Sequence, residues 1–120
     1  MPFDWCDYLE LARALVDLRG SSYSQEATQR SAVSRAYFAA FCSARNYAVN
    51  NLGYKPERGA NDHAELRKHL QKQRYPELAS RLNKLRQWRN ACDYDNNVSQ
   101  LCEMVRDSLR VAEKIIHKCR

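Results

Sequence analysis

The chain has 120 residues, 44% hydrophobic and 28% charged, with only three glycines and three prolines; this excludes a disordered polymer and a turn-rich all-β chain, and allows one domain with its own core. A net charge of +6 suits RNA or another acidic partner, although basic residues spread along amphipathic helices also make an ordinary solvated face. No window approaches the roughly 20 apolar residues that span a bilayer, and Met-Pro-Phe-Asp does not open a signal peptide, so no membrane association and a cytoplasmic location are expected.

The spacing predicts a first helix over 4–19, with Asp4 as N-cap, Trp5, Tyr8, Leu11, Leu15 and Leu18 facing inward, and Gly20 as the stop. Residues 21–24 form a link in which Ser22, followed by Gln25, matches a capping box. The stretch 31–52 then organises the rest. Val33, Tyr37, Ala40, Ala44 and Ala48 recur at helical spacing, while Ala36, Phe38, Ala39 and Phe41 widen the apolar arc. This is the pattern of a central helix packed on more than one side. Arg35 interrupts it and must reach solvent or meet a partner.

Gly53 suits a left-handed residue after the central helix, and 54–61 is the main loop. Asp62 with Glu65 is a second capping-box pattern, opening a short basic helix anchored by Leu66 and Leu70. Pro76 fits the first turn of a fourth helix whose inward positions read Leu78, Leu82, Leu85, Arg89 and Cys92, before residues 93–97 break the pattern. A last helix is expected over 98–118, carrying Leu101, Val105, Leu109, Ala112 and Ile116. Together these elements predict a single all-α domain over 1–120, an antiparallel four-helix up-and-down bundle with a short accessory helix.

The five cysteines contain no C-x-x-C pair and read as buried free thiols in preference to a metal or disulfide site. No zinc-ligand spacing, phosphate-cradling loop, activated serine or paired-carboxylate site is visible, so no metal and no cofactor are expected.

Arg89 is the informative anomaly, since its register calls for an apolar residue. A buried guanidinium needs a partner, and Asp93 lies four residues on, within helical reach. Arg86 can join it in a cationic patch beside Tyr94, and Arg35 and Tyr37 of the central helix can face the same end. One reading is a polar cleft in which guanidinium groups hold a phosphate and a tyrosine hydroxyl completes the site. The other is that Arg89 and Asp93 simply lock the helix end. His63, just inside a helix start, is either a site residue or a surface or capping histidine, and His69 lies on a basic face with Arg67, Lys68 and Lys72.

Three features occur in order along the chain: Ser34-Arg35-Ala36-Tyr37-Phe38-Ala39-Ala40-Phe41, then His63 after a glycine-containing segment, then Arg89-Asn90-Ala91-Cys92-Asp93-Tyr94-Asp95. This arrangement resembles the HEPN domain family of prokaryotes, in particular the small stand-alone branch with S-R-A-Y-Y-A-x-F in the central helix and R-x-x-A-D-Y at the end of the penultimate one. The resemblance covers nearly the whole chain. It implies a four-helix bundle acting as a homodimer, often beside a minimal nucleotidyltransferase that serves as antitoxin, in toxin–antitoxin or defence modules whose active members cut RNA without a metal.

The family's cleavage motif pairs an arginine and a polar residue with a histidine four to six positions later. Arg89-Asn90 matches its first part, but no histidine follows before His117, and a carboxylate such as Asp93 is a poor general acid at neutral pH. The resemblance therefore carries over Arg89, Asn90, Asp93 and Tyr94 as the candidate catalytic site and His63 as a matching position, while Arg86, Arg35 and Tyr37 come from their helix positions; these last four are the candidates for binding RNA phosphate. Three functions stay open: an RNA-acting toxin-like or defence subunit, a non-catalytic adapter that binds the nucleotidyltransferase, and a simple basic RNA-binding bundle. A tyrosine hydroxyl beside arginines is also a competent acceptor for nucleotide transfer from such a partner, which singles out Tyr94.

Overall fold

The structure is a computed structural model that describes residues 2–20, 22–57 and 59–120. It contains α1 (Cys6–Asp17), α2 (Gln25–Asn51), α3 (Asp62–Lys72), α4 (Pro76–Tyr94) and α5 (Leu101–Lys118), with no strand among the described residues. Among the described residues no helix is long and apolar enough to cross a membrane.

The course of the chain follows from cross-helix contacts. Arg30 at the start of α2 reaches the end of α4, whereas Tyr47 near its end meets Tyr75 before α4 begins, so these two helices run antiparallel. Arg13 of α1 pairs with Glu113 of α5 at 3.1 Å, and Gln29 meets Cys102 at the start of α5. The result is the expected up-and-down bundle of α1, α2, α4 and α5, with the short α3 lying mainly against α4.

Helix α2 is the centre. Val33, Tyr37, Ala40, Ala44 and Ala48 are all buried, as are Ala36, Ala39 and Phe41. Its alanines carry little side-chain volume, so α1, α4 and α5 approach its backbone on several sides. Gly53, at φ +68, ends it in the left-handed conformation. Leu66 and Leu70 anchor α3, and Leu78, Leu82 and Leu85 anchor α4 behind Pro76 in its first turn.

Several local expectations give way to tertiary contacts. In α1 the buried residues are Leu9 and Ala12, while Leu11 and Leu18 are 44% and 43% exposed. Trp5, Tyr8 and Leu15 of the expected face pack part-buried against the core, and the helix ends at Asp17, before Leu18 and Gly20. Asp4 still assists its start by accepting the Cys6 N–H at 3.0 Å, although Trp5 occupies the N-cap. The cap of α2 is Ser24, which accepts the Ala27 N–H at 3.1 Å, and not Ser22; Ser21 of the preceding link lies outside the described residues.

Asp62 is the first residue of α3 rather than its cap. It is buried, accepts a hydrogen bond from the Tyr54 hydroxyl, and lies 3.8 Å from Arg45, partners that serve a buried carboxylate better than helix-start amides. Helix α4 continues through Asp93 to Tyr94 instead of breaking after Cys92, and α5 begins at Leu101. Arg30 explains the longer α4: its Nη1 donates to the carbonyls of Cys92 at 3.1 Å and Asp95 at 2.6 Å, and its Nη2 to that of Asn96 at 3.3 Å. The Cys92 carbonyl is one that a helix end leaves without an intrahelical donor, and those of Asp95 and Asn96 belong to the cap and the residue after it.

All five cysteines are free. Cys42 and Cys92 are buried as expected, Cys6 and Cys119 are half-buried, and Cys102 is exposed because α5 turns that position outward. Burial pushes the thiols of Cys92 and Cys119 up to about 11, which keeps them protonated and unreactive at neutral pH.

Candidate functional site

The C-terminal turns of α4 carry Arg89, Asn90, Asp93 and Tyr94 to the first half of α2. Arg89 Nε lies 2.8 Å from Asp93 Oδ2. Its N–H is not aligned for a hydrogen bond, so the attraction is that of an ion pair. Arg89 Nη1 donates to Asn90 Oδ1 at 3.2 Å, and Ser34 Oγ of α2 donates to the same Asp93 oxygen at 3.4 Å. The guanidinium carbon sits 5.1 Å from the Phe38 ring centre, 5.8 Å from that of Tyr94 and 6.0 Å from that of Tyr37. The side chain remains 23% exposed, and among the described residues Nη2 has no protein acceptor. Arg89 is thus held in place on one edge and open on another.

Below it, the Tyr37 hydroxyl is hydrogen-bonded to His63 Nδ1, which brings α3 to the site. The imidazole lies flat on Phe41, ring centres 3.9 Å apart at 4°. Burial raises the Tyr37 phenol to about 12, despite the opposing influence of Arg67, Arg89 and Arg86. Burial also lowers the pKa of His63, and Arg89, Arg67 and Arg45 push in the same direction against Asp62. At neutral pH the pair is therefore a phenol and an uncharged imidazole. The Tyr37 oxygen can donate to Nδ1 or accept from it, so the outer nitrogen, Nε2, can be either an acid or a base.

The structure thus gathers Arg89, Asn90, Asp93, Tyr94, Tyr37 and His63 into one cluster. Tyr94 is its most open member, 73% exposed. Arg86 is close enough to act on both Tyr37 and Arg67, but its Nε and Nη2 donate to Asn83 Oδ1, at 3.2 and 3.0 Å. Arg35 is placed differently: its guanidinium lies over the Tyr8 ring at 5.0 Å and the Phe38 ring at 5.6 Å, so aromatic faces are the partners that the α2 sequence calls for. It faces a groove along α1 that Phe38 and His63 share with the Arg89 cluster.

Sequence reasoning passed over Arg30 and gave Ser34 and Arg67 no role at this site. For the first two a signal exists, because Arg30, Ser34, Tyr37 and Phe41 follow one another at helical spacing as a stripe that passes from polar to apolar. Arg67 belongs to a basic run in which spacing alone distinguishes no residue. Among the described residues no three His, Cys, Asp or Glu side chains gather as a metal-ligand set. No family model, no curated protein and no solved structure matches the chain.

Proposed function

We propose that this chain is a HEPN-type subunit that acts on RNA as a homodimer, in a toxin-like or defence role, with Arg89 as the phosphate receptor and His63 as the proton-handling group. The observation that carries the reading is the meeting of a tethered but partly open guanidinium with the Tyr37–His63 pair, drawn from separate parts of the sequence. In this reading His63 takes the part of the histidine missing from the Arg89 segment.

The chemistry is metal-independent transesterification. The RNA 2′-hydroxyl attacks the adjacent phosphorus and its proton passes to a base. The bond to the 5′-oxygen breaks, that oxygen takes a proton, and a 2′,3′-cyclic phosphate remains. Arg89 stabilises the charge that builds on the non-bridging oxygens, and an imidazole kept neutral by burial is suited to receive the 2′-proton.

The purified protein, in the presence of a chelator, is expected to cleave single-stranded RNA to 2′,3′-cyclic phosphate ends. Arg89→Ala should lower cleavage by at least about a hundredfold, and Arg89→Lys should recover only part of it, because lysine lacks the forked donors. Full cleavage in a folded Arg89→Ala protein would falsify the assignment.

One observation favours a second reading, an adapter modified by a nucleotidyltransferase partner: the Tyr94 ring is well exposed and has Arg89 beside it. Co-expression with such an enzyme followed by intact mass measurement tests it. A nucleotide adduct lost in Tyr94→Phe supports the adapter, and an unmodified mass removes it.

A further inference from the structure

The groove beside the Arg89 cluster, bounded by α1, α2 and the loop before α3, has a volume of about 820 Å³, within the range of sites that enclose small ligands. Trp5, Tyr8, Phe38 and Phe41 supply aromatic surface along it. Arg35 and Arg45 line it as well, but in different states. Arg45 lies over Phe41 at 5.6 Å and is 3.8 Å from Asp62, so its charge is already met. Arg35 lies over two rings, and among the described residues it makes no ion pair or hydrogen bond. A guanidinium immobilised by its faces keeps its N–H edges for an anion.

The groove's two carboxylates also differ. Asp62 is buried and committed to Tyr54 and Arg45, whereas Glu57 stands exposed at the rim and, among the described residues, has no hydrogen-bond or ion-pair partner. One available cation, aromatic surface and one available acceptor do not suit a bare inorganic anion or an aliphatic ligand. They match a planar base bearing amino groups and joined to a phosphate.

We infer that this groove takes one unstacked nucleoside phosphate, with its phosphate on Arg35 and its base against the aromatic wall. The inference rests on the RNA reading above for its choice of polymer. The groove's ligand chemistry is argued from its own residues. Phe38 touches both guanidinium groups and His63 belongs to both sites, so a strand seated in the groove passes directly to the Arg89 cluster. A duplex keeps its bases stacked and cannot fill it.

The test uses tryptophan fluorescence. The chain has two tryptophans, and Trp88→Phe leaves Trp5 in the groove as the sole reporter. Trp5→Phe, in the otherwise native chain, identifies the same signal by subtraction if Trp88→Phe does not fold. Trp5 emission should be quenched by a single-stranded RNA of about six nucleotides and, at higher concentration, by AMP, but not by inorganic phosphate. Arg35→Gln should weaken RNA and AMP alike by about tenfold. Arg89→Ala should lower RNA affinity by more than it lowers AMP affinity, whereas Arg35→Gln lowers both alike, which separates failure of the groove from failure of the Arg89 site. Equal affinity for duplex RNA, equal quenching by phosphate and AMP, or unchanged affinity in Arg35→Gln would each overturn the groove assignment. Binding of AMP without any binding of RNA would overturn the polymer assignment.

Discussion

His63 is the residue whose environment most constrains its chemistry. In an unfolded chain it titrates near the ordinary histidine value of about 6.5, whereas in the bundle burial holds it lower. Between the two values the unfolded chain carries more proton than the folded one. This makes stability rise with pH up to about 6.5 and fall as the pH drops below it, levelling once folded His63 is also protonated. Thermal melts across that range are expected to show a shallower acid-side loss in His63→Gln than in the native chain. An identical slope would mean that His63 is not held neutral by the fold. The same property matters for the proposed cleavage, since an imidazolium at neutral pH could not take a proton from the 2′-hydroxyl.

At the scale of elements, the connection between α3 and α4 shows how backbone geometry is imposed by neighbours. Helix α3 ends in a Schellman motif: the Tyr75 N–H donates to the Leu70 carbonyl at 2.8 Å and the Arg74 N–H to that of Gln71 at 3.2 Å. Arg74 occupies the left-handed position with φ 68, where glycine carries no steric cost. Arg74→Gly is therefore expected to stabilise the fold by about 1 kcal/mol, read as a higher midpoint in urea with an unchanged slope. A lower midpoint would show that the arginine side chain contributes more than its backbone costs.

The elements also show what was legible in the sequence. The α2 face could be read because alanine, valine and aromatic residues keep one helical period throughout it. The Arg89–Asp93 pair could be read because both partners lie on one helix. On α1 the sequence period was legible in part: Trp5, Tyr8 and Leu15 pack against the core, but local spacing does not separate them from the exposed Leu11 and Leu18, nor does it pick out Leu9 and Ala12 as the fully buried pair. The roles of Arg30 and Asp62 depend on partners tens of residues away or across a loop, which local capping rules do not encode. The Tyr37–His63 hydrogen bond is of the same kind: residue type suggested each member, but only the fold joins them.

For the whole molecule, α2 is the common wall of two neighbouring surfaces. One stripe of it, Arg30, Ser34 and Tyr37, meets α4 and holds the Arg89 cluster, while Arg35, Phe38 and Arg45 face the groove along α1. The net charge of +6 draws a polyanion toward the protein without selecting where it binds, so the selection falls to the few guanidinium groups fixed in place. The most direct test of that claim is the salt dependence of single-stranded RNA binding by the native chain and by Arg89→Ala. Loss of one phosphate contact should weaken binding and reduce the magnitude of the slope of log K against log salt by about 0.7. An unchanged slope in a folded Arg89→Ala protein would contradict the account, because it would leave Arg89 as a helix-end lock that no phosphate reaches.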